Sequence, residues 1–189
     1  ATRYWTGTGI FAISDVKLRY QEALVPITVY SGLDSANNSG SWTFSDCSNL
    51  RVWDGEGSDS SWNTPENWSG NQVPSSSEMA VFNATSNKTC VIKDNVDVMG
   101  IEIQAAYTDT IYQQDGASIA ASGTFRIFGG GVKLVDGDVT VPTLQIYDGL
   151  YSAGNGTTAV SSFVQSGGTF TGGSGRLRAE MYELSAGTF

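Results

Sequence analysis

The chain has 189 residues, and its 10 Lys+Arg against 19 Asp+Glu give a formal charge of −9. No basic stripe exists to displace counterions from phosphates or to hold anionic lipid, which argues against nucleic-acid and membrane-surface partners. There is no histidine, so Ser-His-Asp and Cys-His dyads, histidine metal sites and a histidine pH switch are all removed. With 23 Gly, 4 Pro and aromatic residues that recur regularly, the composition fits a packed all-β protein rather than a disordered tail. No stretch approaches the ~20 apolar residues of a membrane span. Ala1 suits the residue left after removal of a secretion signal, and the expected location is secreted or at the cell surface.

Residues 1–50 read as a small β layer or an extended arm. Tyr4-Trp5-Thr6-Gly7-Thr8-Gly9 echoes a later Trp-Gly segment, and Arg3, Tyr4 and Trp5 are the candidate docking residues of the arm. Leu24-Val25-Pro26-Ile27-Thr28-Val29-Tyr30 reads as a strand, placed at a sheet edge by its proline. Ser41-Trp42-Thr43-Phe44 is a second alternating run. Cys47 and Cys90 are the only cysteines, and neither lies in a CxxC pair. Two buried thiols or one disulfide are both open. The disulfide is the expectation for an extracellular chain, where closing so long a loop would constrain the unfolded state by ~4 kcal/mol.

Residues 51–94 form a tryptophan-rich segment, with Trp53, Trp62 and Trp68 set in Gly, Ser and Asn. Large rings in a segment of little regular structure act as hydrophobic anchors. They are expected to cap the open first coil of a repeat region behind them; the alternative is an aromatic platform for sugar rings, which needs at least two of them exposed. Val52-Trp53-Asp54-Gly55-Glu56-Gly57-Ser58-Asp59, then Trp62, then Asn67-Trp68-Ser69-Gly70, Val73-Pro74 and a Val81-Phe82-Asn83 strand make a recognisable series. It resembles the segment that opens β-helical regions in bacterial autotransporter-type passenger and surface proteins. The resemblance spans about residues 52–92 and, more loosely, the repeats behind them. It implies a secreted β-solenoid of the adhesin, surface-layer or matrix kind, and only sometimes an enzyme.

Residues 95–189 repeat. Gly130, Gly149, Gly168 and Gly187 recur every 19 residues, as do Gly137, Gly156 and Gly175. Apolar columns share the period: Phe125, Leu144, Phe163 and Tyr182 in one, Val132, Tyr151, Phe170 and Phe189 in another, and Ile127, Ile146, Gln165 and Leu184 in a third. A 19-residue unit is too short for helical solenoids and lacks the Leu/Asn signature of leucine-rich repeats. It suits one coil of a parallel β-solenoid, with three short strands joined by bends where glycine takes positive φ or lets backbones approach. A β-sandwich with evenly spaced hairpins is the alternative. Thr110-Ile111-Tyr112 resembles Gly149-Leu150-Tyr151 two periods on with a one-residue shift, and Val96, Val98, Ile101 and Ile103 read as strands of the first coils.

The acids are the remaining candidates for chemistry. Asp54, Glu56 and Asp59 share a Gly/Ser loop but lack the bidentate Glu of an EF-hand, so a solvated turn is expected. Asp136-Gly137-Asp138 has no acidic counterpart at Asn155-Gly156-Thr157 or Ser174-Gly175-Arg176, which leaves a calcium ladder unsupported. Arg126, Lys133, Arg176 and Arg178 are scattered, and Glu180 and Glu183 have no acidic counterparts one period back, so a paired-carboxylate glycosidase or a lyase is the lesser alternative. No catalytic residue, metal or cofactor is expected. The sequons at Asn37, Asn67, Asn83, Asn87 and Asn155 point to surface loops at most.

A solenoid has two open edges of unpaired N–H and C=O groups. The tryptophans are expected to cover one, while Gly187-Thr188-Phe189 falls in the middle of a coil at the other. Either the chain is a piece of a longer protein or another copy covers that edge. The second option implies a structural subunit of an extracellular bacterial filament, sheath or lattice, stacked head to tail with the N-terminal arm adding a strand to its neighbour. The alternative is a monomeric adhesin that binds cell-surface glycans.

Overall fold

The computed structural model describes residues 3–5, 11–14, 17–18, 21–30, 33–34, 39–45, 49–114 and 116–189, in two compact units, Ala1–Asn49 and Leu50–Phe189. The first unit contains β1 (Arg3–Trp5), β2 (Phe11–Ser14), β3 (Lys17–Leu18), β4 (Gln21–Tyr30), β5 (Leu33–Asp34) and β6 (Ser39–Ser45). Every pairing among them is parallel: Arg3 lies opposite Gln21, Phe11 opposite Ile27, Lys17 opposite Leu33, and Ile27 opposite Trp42. The rungs thus recur every 15 to 18 residues, a coil-like stack whose shorter, variable period hides it from a search for 19.

Two expectations for this unit are corrected. Arg3, Tyr4 and Trp5 are not a free arm, because β1 is already paired with β4. The proline-containing strand is central rather than at an edge: β4 pairs with β1, β2 and β6. Proline is tolerated because Leu24, Val25 and Pro26 fall between the segments paired to β1 and β2, at a register shift against β6.

In the second unit β7 (Leu50–Val52) precedes a parallel β-solenoid of about six coils of about 19 residues. The first coil is β8 (Met79–Phe82), β9 (Cys90–Ile92) and β10 (Val96–Val98); the second is β11 (Gly100–Ile103), β12 (Thr110–Gln113) and β13 (Ile119–Ala121). The third is β14 (Thr124–Ile127), β15 (Gly131–Lys133) and the start of β16 (Val139–Ile146). The end of β16, β17 (Leu150–Ser152), β18 (Thr157–Thr171) and β19 (Arg176–Thr188) complete the stack, the last two strands turning corners without a break. The solenoid therefore starts at Met79 rather than near residue 95, since Met79 pairs with Gly100.

Register follows the sequence columns. Phe125 lies opposite Leu144, Leu144 opposite Phe163, and Phe163 opposite Tyr182; Val132, Tyr151 and Phe170 align in the same way on another face. Upstream the spacing loosens, for Ile101 lies opposite both Ala80 and Phe125, gaps of 21 and 24. Thr110 consequently pairs with Gly131, and Gly131 with Leu150, one residue beyond the sequence alignment. Inward-facing Phe125, Leu144, Phe163, Val132 and Tyr151 are all fully buried, each side chain contributing ~1.5–3 kcal/mol. Gly130, Gly149, Gly168 and Gly187 all have positive φ, between 56° and 97°, a bend that other residues resist. The second glycine column has a different cause: a Cβ on Gly156 would stand 2.3 Å from the Gly137 carbonyl oxygen of the coil before.

Candidate functional site

The two ends of the solenoid differ in what covers them. At the N-terminal end, β7 pairs with β8 and continues into Trp53, whose N–H donates to the Val81 carbonyl at 2.9 Å. On the next face Ser61 pairs with Val91, so residues 50–62 trace two sides of an extra, incomplete coil. A 3-10 turn at Pro65–Asn67, with proline in its first position where no N–H is needed, then turns Trp68 back against Trp53. The rings of Trp53 and Trp68 meet edge to face at 5.2 Å, those of Trp62 and Trp68 at 4.7 Å, and all three lie on Phe82 of the first coil. Trp68 Nε1 donates to the Trp62 carbonyl at 2.7 Å and Trp53 Nε1 to the Lys88 carbonyl at 2.8 Å, so neither buried indole N–H is left unpaired.

All three rings are buried to within 2%. A cap is what that burial describes; a sugar platform on these rings is ruled out because no face is open. Asn67, a sequon residue expected on the surface, is also fully buried, donating to Asp59 Oδ1 and the Ser61 carbonyl and accepting the Gly57 N–H. Asp59 further accepts the Ser61 N–H and the Thr64 hydroxyl, and these bonds hold its carboxyl below the ordinary value. Lys88 Nζ donates to the carbonyls of Gly55 and Gly57 at 3.0 and 2.7 Å, tying the loop to the segment before β9. Among the described residues no group of three or more His, Cys, Asp or Glu is arranged to hold a metal ion.

Below the cap, Arg51 reaches Glu78 at 2.6 Å. Burial raises the Glu78 carboxyl, but the Ser75 N–H and hydroxyl and the Arg51 charge outweigh it and leave the value lowered. Cys90 is a buried free thiol whose burial pushes its pKa up, so the expected bridge to Cys47 is not formed. Cys47 itself lies outside the described residues. Cys90 points from β9 into the core, among apolar side chains that suit a thiol.

At the other end of the stack lies β19. β19 pairs only with β18, leaving its other edge unpaired among the described residues. Its inward residues continue the core columns but have nothing above them: Tyr182 is 49% exposed and Leu184 53%, against 0% and 1% for Phe163 and Gln165 one coil back. Phe189 stacks on Phe170 at 4.8 Å and is 65% exposed, and Gly187 and Thr188 complete that rim. The Tyr182 hydroxyl folds across the corner, accepting the Ala179 N–H at 3.1 Å and donating to the Leu177 carbonyl at 3.4 Å.

In the sequence Gln165 is visible only as a break in an apolar column. It is buried in the coil under this rim, its Nε2 donating to the carbonyls of Thr188 and Gly168 while its Oε1 has no partner. No protein-family model matches the sequence, and neither a curated protein nor a solved structure matches it.

Proposed function

We propose that this chain is a structural subunit of an extracellular bacterial surface assembly, one that self-associates through β pairing at its solenoid edges. The fold fits a surface or structural module, and one observation carries the finer reading. Tyr182, Leu184 and Phe189 are exposed on β19 and its end, although their counterparts Phe163, Gln165 and Phe170 one coil back are buried. An edge of unpaired main-chain groups over an apolar floor is a template for further β pairing. The role is mechanical and non-catalytic, in keeping with a chain that has no histidine.

Negative-stain electron microscopy with light scattering on the purified 20.0 kDa chain tests this. Regular oligomers, fibres or sheets are the expected result. Monomers at all concentrations would overturn self-association and bring forward a glycan-binding module. That second reading draws on Tyr147, which stacks face to face on Phe128 at 4.6 Å and is 40% exposed.

A further inference from the structure

We infer that the outward-facing stack of Phe128 and Tyr147, with Arg126 and Gln145 beside it, is a binding site for a neutral pyranose unit of a glycan. The inference rests on the glycan-binding reading, the second of the two above, and names its site and ligand class; it is independent of self-association.

Three observations point there. First, the two rings are placed by the register of the solenoid and lie outside its core. Ile127 lies opposite Ile146 and both are buried, so Phe128 and Tyr147, one residue on, fall side by side on the outer surface where the chain leaves β14 and β16. Their planes are within 3° of parallel and their centroids 4.6 Å apart, close to the ~4.8 Å between neighbouring rungs. The ring planes therefore lie roughly across the solenoid axis: Phe128 takes one face of Tyr147, and the other face turns toward the following coil. Ile146 lies opposite Gln165, so the next side chain in that column is Ser166, too small to cover a phenol ring. Tyr147 is accordingly 40% exposed. The opening is set by the size of Ser166, inside the stack.

Second, hydrogen-bonding groups stand beside the rings. Arg126 and Gln145 are in register with each other, two residues before Phe128 and Tyr147, and alternation along a strand puts them on the same outer face. Arg126 reaches Glu102 only at 3.4 Å, with its side chain 37% exposed. Among the described residues, the Gln145 amide and the Tyr147 hydroxyl bond to no other group.

Third, this chemistry selects its ligand. A pyranose chair offers an apolar C–H face and a rim of vicinal hydroxyls. The electron-rich face of a phenol attracts the C–H face, while planar guanidinium and amide groups hold two hydroxyls at once, the amide both donating and accepting. On the open face of Tyr147 such a ring takes the third position of the stack, above Ser166, with its hydroxyls toward Gln145. Glu102 offsets the charge of Arg126, and a chain of net charge −9 repels uronic acids, so the fitting glycan is neutral. Two rings flanked by polar groups offer far less apolar area than the ~800 Å² a protein partner covers.

A glycan array of neutral and uronic-acid oligosaccharides, followed by calorimetric titration of the free oligosaccharides that score, tests this. The wild-type chain is expected to bind neutral members and no acidic ones. Tyr147→Ala is expected to weaken binding by about tenfold or more, and Tyr147→Phe, which keeps the ring face, by about threefold or less. Gln145→Ala is expected to weaken it by about fivefold. Ser166→Phe lays a third ring on the open face and is expected to abolish binding with the melting temperature unchanged or raised, which separates a filled site from a lost fold. All these side chains lie outside the core, so circular dichroism should show every variant folded. Binding that survives Tyr147→Ala, Gln145→Ala or Ser166→Phe, or that is confined to acidic glycans, would overturn this site while leaving glycan binding standing. A wild-type chain that binds no glycan on the array overturns both.

Discussion

Two buried glutamines receive the same substitution and should respond with opposite signs. Gln165 occupies an inward column between Ile146 and Leu184, with Oε1 unpaired and Nε2 donating to carbonyls of Gly168 and Thr188 near the uncovered rim. Leucine there has nearly the same volume and completes the column. It removes a desolvated acceptor whose unpaired burial costs about 1–3 kcal/mol, and one of the two carbonyls it releases belongs to the exposed Thr188. The net expectation is a gain of about 1 kcal/mol. Gln113 is equally buried but satisfied at both ends, Nε2 donating to the Ala117 carbonyl and Oε1 accepting the Val135 N–H of the next coil at 2.9 Å. Gln113→Leu leaves both partners unpaired inside the stack and should cost about 2–4 kcal/mol. Guanidinium unfolding followed by tryptophan fluorescence, with calorimetry alongside, measures both. At ~2–4 °C per kcal/mol the two melting temperatures should separate by roughly 6–20 °C. Destabilisation by Gln165→Leu comparable to that of Gln113→Leu would refute the reasoning, because it would mean that the amide at 165 is as fully paired as the one at 113.

Gly156→Ala sets a methyl 2.3 Å from the Gly137 carbonyl oxygen and should destabilise by about 2 kcal/mol or more, whereas Gly172→Ala, with nothing within 4 Å, should stay within ~0.5 kcal/mol; thermal melts of the pair check the contrast. Trp62→Ala opens a cavity against Trp68 and Phe82 and should cost about 3–5 kcal/mol, read as an earlier loss of tryptophan fluorescence in denaturant. Asp59 has a folded pKa below its unfolded value, so its contribution is complete above about pH 4 and disappears as the pH falls through the folded value. Asp59→Asn should therefore flatten the acid limb of a stability-against-pH curve recorded at the tryptophans, and an unchanged limb would show that other carboxyls govern it.

The last three coils are legible in the sequence because their bends demand glycine at fixed positions and their inner faces demand apolar residues, so chemistry recurs with spacing. The earlier coils keep the same three faces but vary their corners, over Asn83–Thr89 and Gln104–Asp109, for example. A fixed period cannot survive such changes even though Ile101, Phe125 and Leu144 occupy one column. The first unit is obscured for the same reason, with a proline that signals an edge but sits where no ladder bond is required. The tryptophan cap follows from ring size and spacing, while its buried Asn67–Asp59 hub does not, since an Asn in a sequon looks like any surface Asn. The contrast between the two core glutamines lies beyond sequence altogether, because it depends on which carbonyls and N–H groups the neighbouring coil brings within reach.

From Thr143 onward the rungs align at 19-residue intervals, Leu144 with Phe163 and Phe163 with Tyr182, apart from one irregularity at Ser166. Such a stack behaves as a ruler whose graduations are interchangeable. Excising or duplicating one whole interval changes the length by about 4.8 Å, the separation of neighbouring strands, while each remaining side chain keeps the same kind of neighbour. Removing half an interval instead shifts every downstream bend onto a face and every inward residue off its column. Length in this protein is thus a quantised trait, one that changes by whole steps.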